Sequence, residues 1–353
     1  MSGGAWGITE NGELLTGSGM LRDRKQFAVL AVWMVLWVCS VGPADTLRLD
    51  KDQQWKTVST EGPDKFLLAV AEAKELVNAG EVEAAREAFD ALKQDFPEIA
   101  GPDFEIFVKA ELFYCQGRFV KAARSYDKLL TEHPKSSLRQ AVLERQFAIG
   151  SAYLAGRKKV VLGFIKLSGY AEGVSIMEKV TDRAGVDSSL GLEAALAVAN
   201  SFEERQKYEE AYLKWWEVSL EYQTGQVGRD ALHGMARCKH AAYNKEPEHR
   251  RHLYDASRLS TAKSCYERLR LLYPKDAKEI GVDEILRQIN EQLARKQLSI
   301  GQYYQAVGNR QAAILYYDMV VTDWPGTEAA QTARELLAAG RDTADDNQAP
   351  GEK

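Results

Sequence analysis

The chain has 353 residues and a formal net charge of −5. That balance argues against nucleic acid as the main partner, because phosphate binding needs a dense basic surface. Apolar residues make up 45% and charged residues 27%, an ordinary soluble composition, so the length fits one extended array or two domains.

At the N-terminus, Arg22, Arg24 and Lys25 precede an apolar run from Phe27 to Val41. The run is shorter than the roughly 20 residues that a membrane-spanning helix needs. Gly42 and Ala44 flank Pro43 after it. This order predicts a secretory signal peptide within residues 1–44, cleaved after Ala44. Met20 stands just before Leu21 and Arg22 and is a candidate start. Cys39 is a candidate for lipidation: Leu36 fits a bacterial lipoprotein box, but Trp37 and Val38 are bulkier than that pattern takes. A plain cleaved signal is preferred, with the acyl anchor left open. Residues 45–63 are polar and irregular apart from Trp55, and read as a linker.

Helical period begins at Asp64. Phe66, Ala69, Val70, Ala73 and Val77 fall at three- and four-residue steps, one apolar helix face. Gly80 breaks this helix, and Val82, Ala85, Phe89, Leu92 and Phe96 mark a second one that Pro97 ends. A second pair with the same plan runs from Asp103 to Lys135. The third begins with Phe147, Ile149, Gly150 and Tyr153 and is then interrupted by residues 157–170. That insertion carries four positive charges and no acidic residue. An elongated turn, with Val160, Phe164 and Ile165 covering a helix end, is preferred there over contact with a membrane surface or an acidic partner. The second helix resumes near Ala171. A fourth pair spans Leu192 to Tyr222. The fifth has helices at about 229–243 and up to Pro274, around a charged insertion at 244–257. The sixth opens with a long helix at about 282–307, and Thr327 to Ala339 forms a cap. The tail, 341–353, holds no apolar residue beyond Ala and Pro and is expected to be disordered.

One spacing unites these pairs: a small residue, an aromatic four later, Leu or Val three after that, and Pro five further on. It occurs as Ala85-Phe89-Leu92-Pro97, Ala122-Tyr126-Leu129-Pro134, Ala262-Tyr266-Leu269-Pro274 and Ala313-Tyr317-Val320-Pro325. In three copies Gly80, Gly117 and Gly308 lie seventeen before the Pro, and Ala73, Ala110 and Gly301 twenty-four before it. The small residue lets two helices approach, and the aromatic fills the space toward the next pair. No single pair can bury both faces of its helices, so the pairs must stack. The third and fourth units depart from the pattern, with Gly185 and Gln223 at the Pro place.

These residues resemble tetratricopeptide repeats, as do the steps Gly150-x2-Tyr153 and Gly301-x2-Tyr304. The predicted fold is an all-α, right-handed superhelix of about six helix pairs over residues 64–340. An exported chain with this array is similar to the BamD family of outer-membrane β-barrel assembly lipoproteins. The C-terminal unit, from Ala294 to Trp324, carries the strongest likeness, with Gln311 to Tyr317 and Asp323-Trp324-Pro325. The resemblance implies a scaffold at the periplasmic face of the outer membrane. Its implied partners are the barrel-assembly subunit and segments of unfolded outer-membrane proteins, with peripheral membrane association left open. The alternative is a periplasmic repeat scaffold that coordinates cell-wall synthesis or envelope division.

Catalysis and metal binding are not expected. The phosphate-loop, zinc-protease, nucleophile-elbow and paired-cysteine motifs are all missing from the sequence. His249 and His252 flank Arg250 and Arg251, whose charge opposes a cation. Residues 341–353 leave no room for a separate lytic domain of the kind built on some helical rings. No cofactor is implied. After cleavage Cys115, Cys238 and Cys265 would remain, read as small buried residues, with a Cys238–Cys265 bridge left open by an oxidising compartment.

The candidate binding surface is a groove lined by the first helix of each unit: Lys74, Phe107, Glu111, Tyr114, Phe147, Ser151 and Asn200. A mixed aromatic and polar stripe of this kind suits an extended peptide. The competing reading makes Phe107 and Phe147 core between stacked units. Val70, Phe107, Phe147 and Leu196 stand where a carboxylate-clamp co-chaperone carries its Lys and Asn set, which argues against that role.

Overall fold

The computed structural model describes residues 47–49, 55–57, 63–161 and 165–346. The expected signal peptide, Cys39 and the cleavage point lie outside these residues. Two compact units divide the chain, Met1–Glu72 and Ala73–Lys353.

In the first unit, β1 (Leu47–Leu49) pairs antiparallel with β2 (Trp55–Thr57), Leu47 opposite Thr57 and Leu49 opposite Trp55. The sequence reading gave an irregular linker here. Leu47-Arg48-Leu49 alternates apolar and polar at the strand period, a signal too short to stand out in the chain. Helix α1 (Pro63–Ala79) begins in this unit and ends in the second.

The second unit is an all-α tetratricopeptide superhelix. It opens with the end of α1 and α2 (Val82–Asp95), followed by the pairs α3 (Pro102–Cys115) with α4 (Phe119–Glu132) and α5 (Arg139–Leu154) with α6 (Tyr170–Ala184). Then come α7 (Ser189–Glu204) with α8 (Tyr208–Glu221), and α9 (Gly225–Asn244) with α11 (Ser257–Leu272). The short α10 (Glu248–Arg251) lies in the insertion of that fifth pair. After α12 (Pro274–Ile280), α13 (Val282–Ala306) pairs with α14 (Arg310–Asp323), and α15 (Glu328–Asp346) closes the array.

The repeat spacing picks out what these helices bury. Ala85, Phe89 and Leu92, Ala122, Tyr126 and Leu129, Ala262, Tyr266 and Leu269, and Ala313, Tyr317 and Val320 are all buried. In the two degraded units, Met177 and Val180, and Ala211, Trp215 and Val218, hold the same places and are buried too. Loss of the Pro therefore does not loosen the packing. Each fully buried Leu, Val or Phe contributes about 1.5–3 kcal/mol. These contributions fall in successive clusters, one around Tyr126 and Ile149, one from Met177 to Ile289, and one around Tyr317. That succession is what an array of nearest-neighbour pairs requires. Pro274 does more than end a helix: it opens α12 at its first turn, where the missing N–H costs nothing.

The turn from first to second helix is built alike in five units. The N–H of Glu81 donates to the carbonyl of Leu76 at 3.0 Å, Arg118 to Phe113 at 2.8 Å, Arg157 to Ala152 at 3.0 Å, Lys207 to Phe202 at 2.9 Å and Asn309 to Tyr304 at 2.9 Å. The residue before each donor has positive φ: Gly80, Gly117, Gly156, Gln206 and Gly308. This is the Schellman closure, which needs one left-handed residue. Gln206, at φ 56°, is the non-glycine that takes the position in the described residues.

The insertion after α5 is a β-hairpin. Strand β3 (Lys158–Val161) pairs with β4 (Ile165–Ser168), with Lys158 opposite Ser168 and Lys159 opposite Leu167. The expected cover over a helix end is not provided by Ile165, which is 38% exposed beside Leu167 at 47%. Ile165-Lys166-Leu167-Ser168 alternates apolar and polar at the strand period, and the β-branched Val160 and Val161 favour a strand opposite it.

Helix α15 caps the array through Ala329, Ala330 and Ala333, buried against Ala294, Leu298, Tyr317 and Val320. Its N-terminus is held by Glu291, whose carboxylate accepts the Glu328 N–H at 2.8 Å. The helix continues to Asp346, past the expected end at Ala339 and into the tail expected to be disordered. Once the alanine face is docked, propagation costs little and no proline intervenes.

Candidate binding surface

The seven residues expected to line the groove divide into two sets. Lys74 on α1 and Asn200 on α7 are exposed, and Ser151 on α5 is half-buried. Phe107, Glu111 and Tyr114 on α3 and Phe147 on α5 instead join successive units. Phe107 meets Phe89 edge-on at 6.5 Å and lies 6.4 Å from the Tyr126 ring. Phe147 packs on the core that begins at Met177. Tyr114 stacks on Phe119 at 5.0 Å, and the Arg145 guanidinium stands 4.6 Å from the Tyr114 ring.

Glu111 is buried, 2% exposed, and its carboxylate is fully engaged. It accepts from Arg145 Nε at 3.0 and 3.1 Å, from Arg145 Nη2 at 2.8 Å and from the Tyr126 hydroxyl. Arg145 Nη1 reaches on to Asn78 Oδ1 at 2.7 Å, so α1, α3 and α5 are tied together. Burial and the Glu111 charge push the Tyr126 phenol well above its ordinary value, which keeps the proton that it donates. A second cluster centres on Asp127 of α4. It accepts from Gln146 Nε2 at 2.7 Å, Lys179 Nζ at 2.6 Å and Arg183 Nη1 at 2.6 Å. The meeting of Asp127 with Arg183 depends on how α4 and α6 stack and is not legible in either helix alone.

An open cleft lies further along. A cleft of about 1110 Å³ runs beside α13 and is lined by Tyr243, His252, Gln288, Asn290, Gln292 and Trp324, among others. Its wall is the insertion of the fifth pair, which is clamped onto α13. Lys296 Nζ donates to the carbonyls of His252 at 3.2 Å and Tyr254 at 2.5 Å, and Gln292 Nε2 donates to Asn244 Oδ1 at 2.9 Å. The signals for it in the sequence were the long sixth first helix beside a charged insertion. Among the described residues, no group of three or more His, Cys, Asp or Glu side chains is placed to hold a metal ion. The lining is largely polar and charged, with aromatic side chains at Tyr243 and Trp324, which suits an extended chain segment.

Residues 232–342, which contain this cleft, match the family described as YfiO, outer membrane lipoprotein. Over its C-terminal helix pairs the chain is similar to the BamD family. Solved structures match the chain at low identity and low TM-score. PilW, a widely conserved type IV pilus biogenesis factor, shares 17% identity at a TM-score of 0.28, covering 77% of this chain and 99% of its own. A tetratricopeptide repeat protein from Parabacteroides merdae ATCC 43184 shares 14% at 0.30, with 77% and 97% covered. The C-terminal part of a repeat protein from Cytophaga hutchinsonii shares 12% at 0.35, with 88% and 95% covered. No curated protein matches the chain.

Proposed function

We propose that this chain is a non-enzymatic scaffold of the cell envelope that binds partner subunits and extended protein segments during outer-membrane β-barrel assembly. The observation that carries the reading is the match of residues 232–342 to an outer membrane lipoprotein family, over the helix pairs that enclose the cleft. The cleft beside α13 is the principal binding surface. Lys74, Ser151 and Asn200, the accessible members of the first-helix stripe, offer further contacts on the first, third and fourth units. Phe107, Glu111, Tyr114 and Phe147 support the stripe from within. A stacked array suits this work because it offers a long surface that is already ordered before the partner arrives.

Affinity purification of the full chain from detergent-solubilised envelope tests the proposal. Recovery of the barrel component of the assembly machine is the expected result. Recovery of cell-wall synthases alone would overturn it in favour of a scaffold for cell-wall synthesis.

A further inference from the structure

In a helix-pair array every turn from first to second helix falls on the same edge. In the second, third and fourth units those turns are residues 116–118, 155–169 and 205–207. They carry Arg118, Arg157, Lys158, Lys159, Lys166, Arg205 and Lys207, and no Asp or Glu. Such a run of one sign stands out in a chain of net charge −5. Two contacts show that the three turns are neighbours. Arg157 lies over the Phe119 ring at 4.4 Å, joining the hairpin base to the start of α4. Arg205 lies over the Tyr170 ring at 3.8 Å, joining the hairpin exit to the end of α7. Acidic side chains neutralise only part of this edge: Glu172 faces Lys159 at 3.5 Å and Glu210 faces Lys207 at 4.0 Å. Lys158 and Lys166 are exposed, and among the described residues neither forms an ion pair.

The hairpin adds an apolar element to this field. Ile165 and Leu167 share one face of β4 and are exposed at 38% and 47%. Lys158 and Lys166 lie on the other face by the strand register. A narrow hairpin with exposed apolar side chains on one face and lysines on the other, next to further basic turns, fits a lipid headgroup layer, where charge is met at the surface and apolar groups enter just below it. An acidic protein would match the charges but leaves Ile165 and Leu167 without a role.

We infer that this edge of units two to four is a docking surface for anionic phospholipid membranes, with the β3–β4 hairpin entering the headgroup region. The inference goes beyond the scaffold reading and does not depend on it. It is tested by sedimenting the full chain with vesicles of phosphatidylcholine alone, or with about a third phosphatidylglycerol to supply surface charge. The chain should bind the anionic vesicles more tightly, and the difference should vanish near 0.5 M salt, where screening acts within roughly 4 Å. Lys158→Ala with Lys166→Ala should weaken anionic binding roughly 25-fold, about fivefold for each lysine removed, while helical content and thermal midpoint stay unchanged. Ile165→Ser with Leu167→Ser should weaken it as well. Because every variant keeps the same N-terminus, any contribution of the residue 27–41 run cancels. Equal binding to both vesicle types, or undiminished anionic binding by the lysine variant, would overturn the inference. Undiminished vesicle binding together with loss of a protein partner would assign the edge to an acidic protein instead.

Discussion

Arg145 on α5 closes on Glu111 of α3 with Nη2 and Oε2 2.8 Å apart, at 12% and 2% side-chain exposure. The pair ties the second unit to the third, and Tyr126 and Asn78 add one hydrogen bond to Glu111 and to Arg145 respectively. Removing one member leaves the other charge buried and unmatched, which costs about 3–5 kcal/mol. Glu111→Ala and Arg145→Ala should each lower the unfolding free energy by an amount of that order, read as a lower urea midpoint. Substituting both together should cost much less than the two single losses summed. A double-mutant cycle on the urea transitions checks this, and additive losses would show that the pair does not act as a unit.

Asp127 sets an acid limit to stability. Burial alone would raise its pKa, but hydrogen bonds from Lys179, Arg183 and Gln146 outweigh burial and hold it below the usual carboxylate value. A carboxylate with a lowered folded-state pKa binds its proton more readily when unfolded. Its stabilisation is therefore present above the unfolded value, about pH 4, and is lost as pH falls through the lower folded value. Glu203 follows the same rule: burial opposes ionisation and Arg237 restores it. Denaturation midpoints measured from pH 7 down to pH 3 should fall steeply at the acid end. Asp127→Asn should be less stable at neutral pH and show a shallower acid limb.

Gln206 occupies a left-handed turn position that glycine fills in the four matching turns. A side chain costs roughly 1–2 kcal/mol in that region, partly offset by the greater chain freedom that glycine loses on folding. Gln206→Gly should raise stability by about 0.5–1 kcal/mol. Gln206→Val should lower it, since a β-branched residue resists positive φ most. Thermal midpoints of the two variants should move in opposite directions.

The three cysteines of the array are free thiols, with Cys238 and Cys265 buried and Cys115 half-buried. Burial, together with the Glu203 charge, pushes the Cys238 thiol up to about 12. A thiol held protonated and out of reach is a poor nucleophile. Residue-resolved alkylation at neutral pH should modify Cys115 first. Cys238 and Cys265 should react only once the array unfolds.

Much of this structure was legible from residue spacing. Ala122, Tyr126 and Leu129 recur at one helix face, so their burial follows from helical geometry and from the need of each pair to cover its neighbour. Gly80, Gly117 and Gly308 were legible because a left-handed turn leaves a strong mark in sequence. Gln206 hid the same turn by breaking the rule that the others obey. The hairpin at Lys158 to Ser168 was missed because two strands of four residues give a shorter periodic signal than the paired helices of the repeat. The cleft beside α13 was missed because its wall belongs to an insertion with no periodicity.

The sequence by itself determined the repeat, the order of the helix pairs and the residues at their core, since these depend on patterns within one or two turns of helix. Only the tertiary structure decided which charges meet. Glu111 and Arg145 lie on different units, and their pairing depends on the angle at which units stack. Arg157 and Arg205 become neighbours of one hairpin for the same reason. Local periodicity specifies each helix, whereas the geometry between helices places groups that are far apart in sequence within hydrogen-bonding distance.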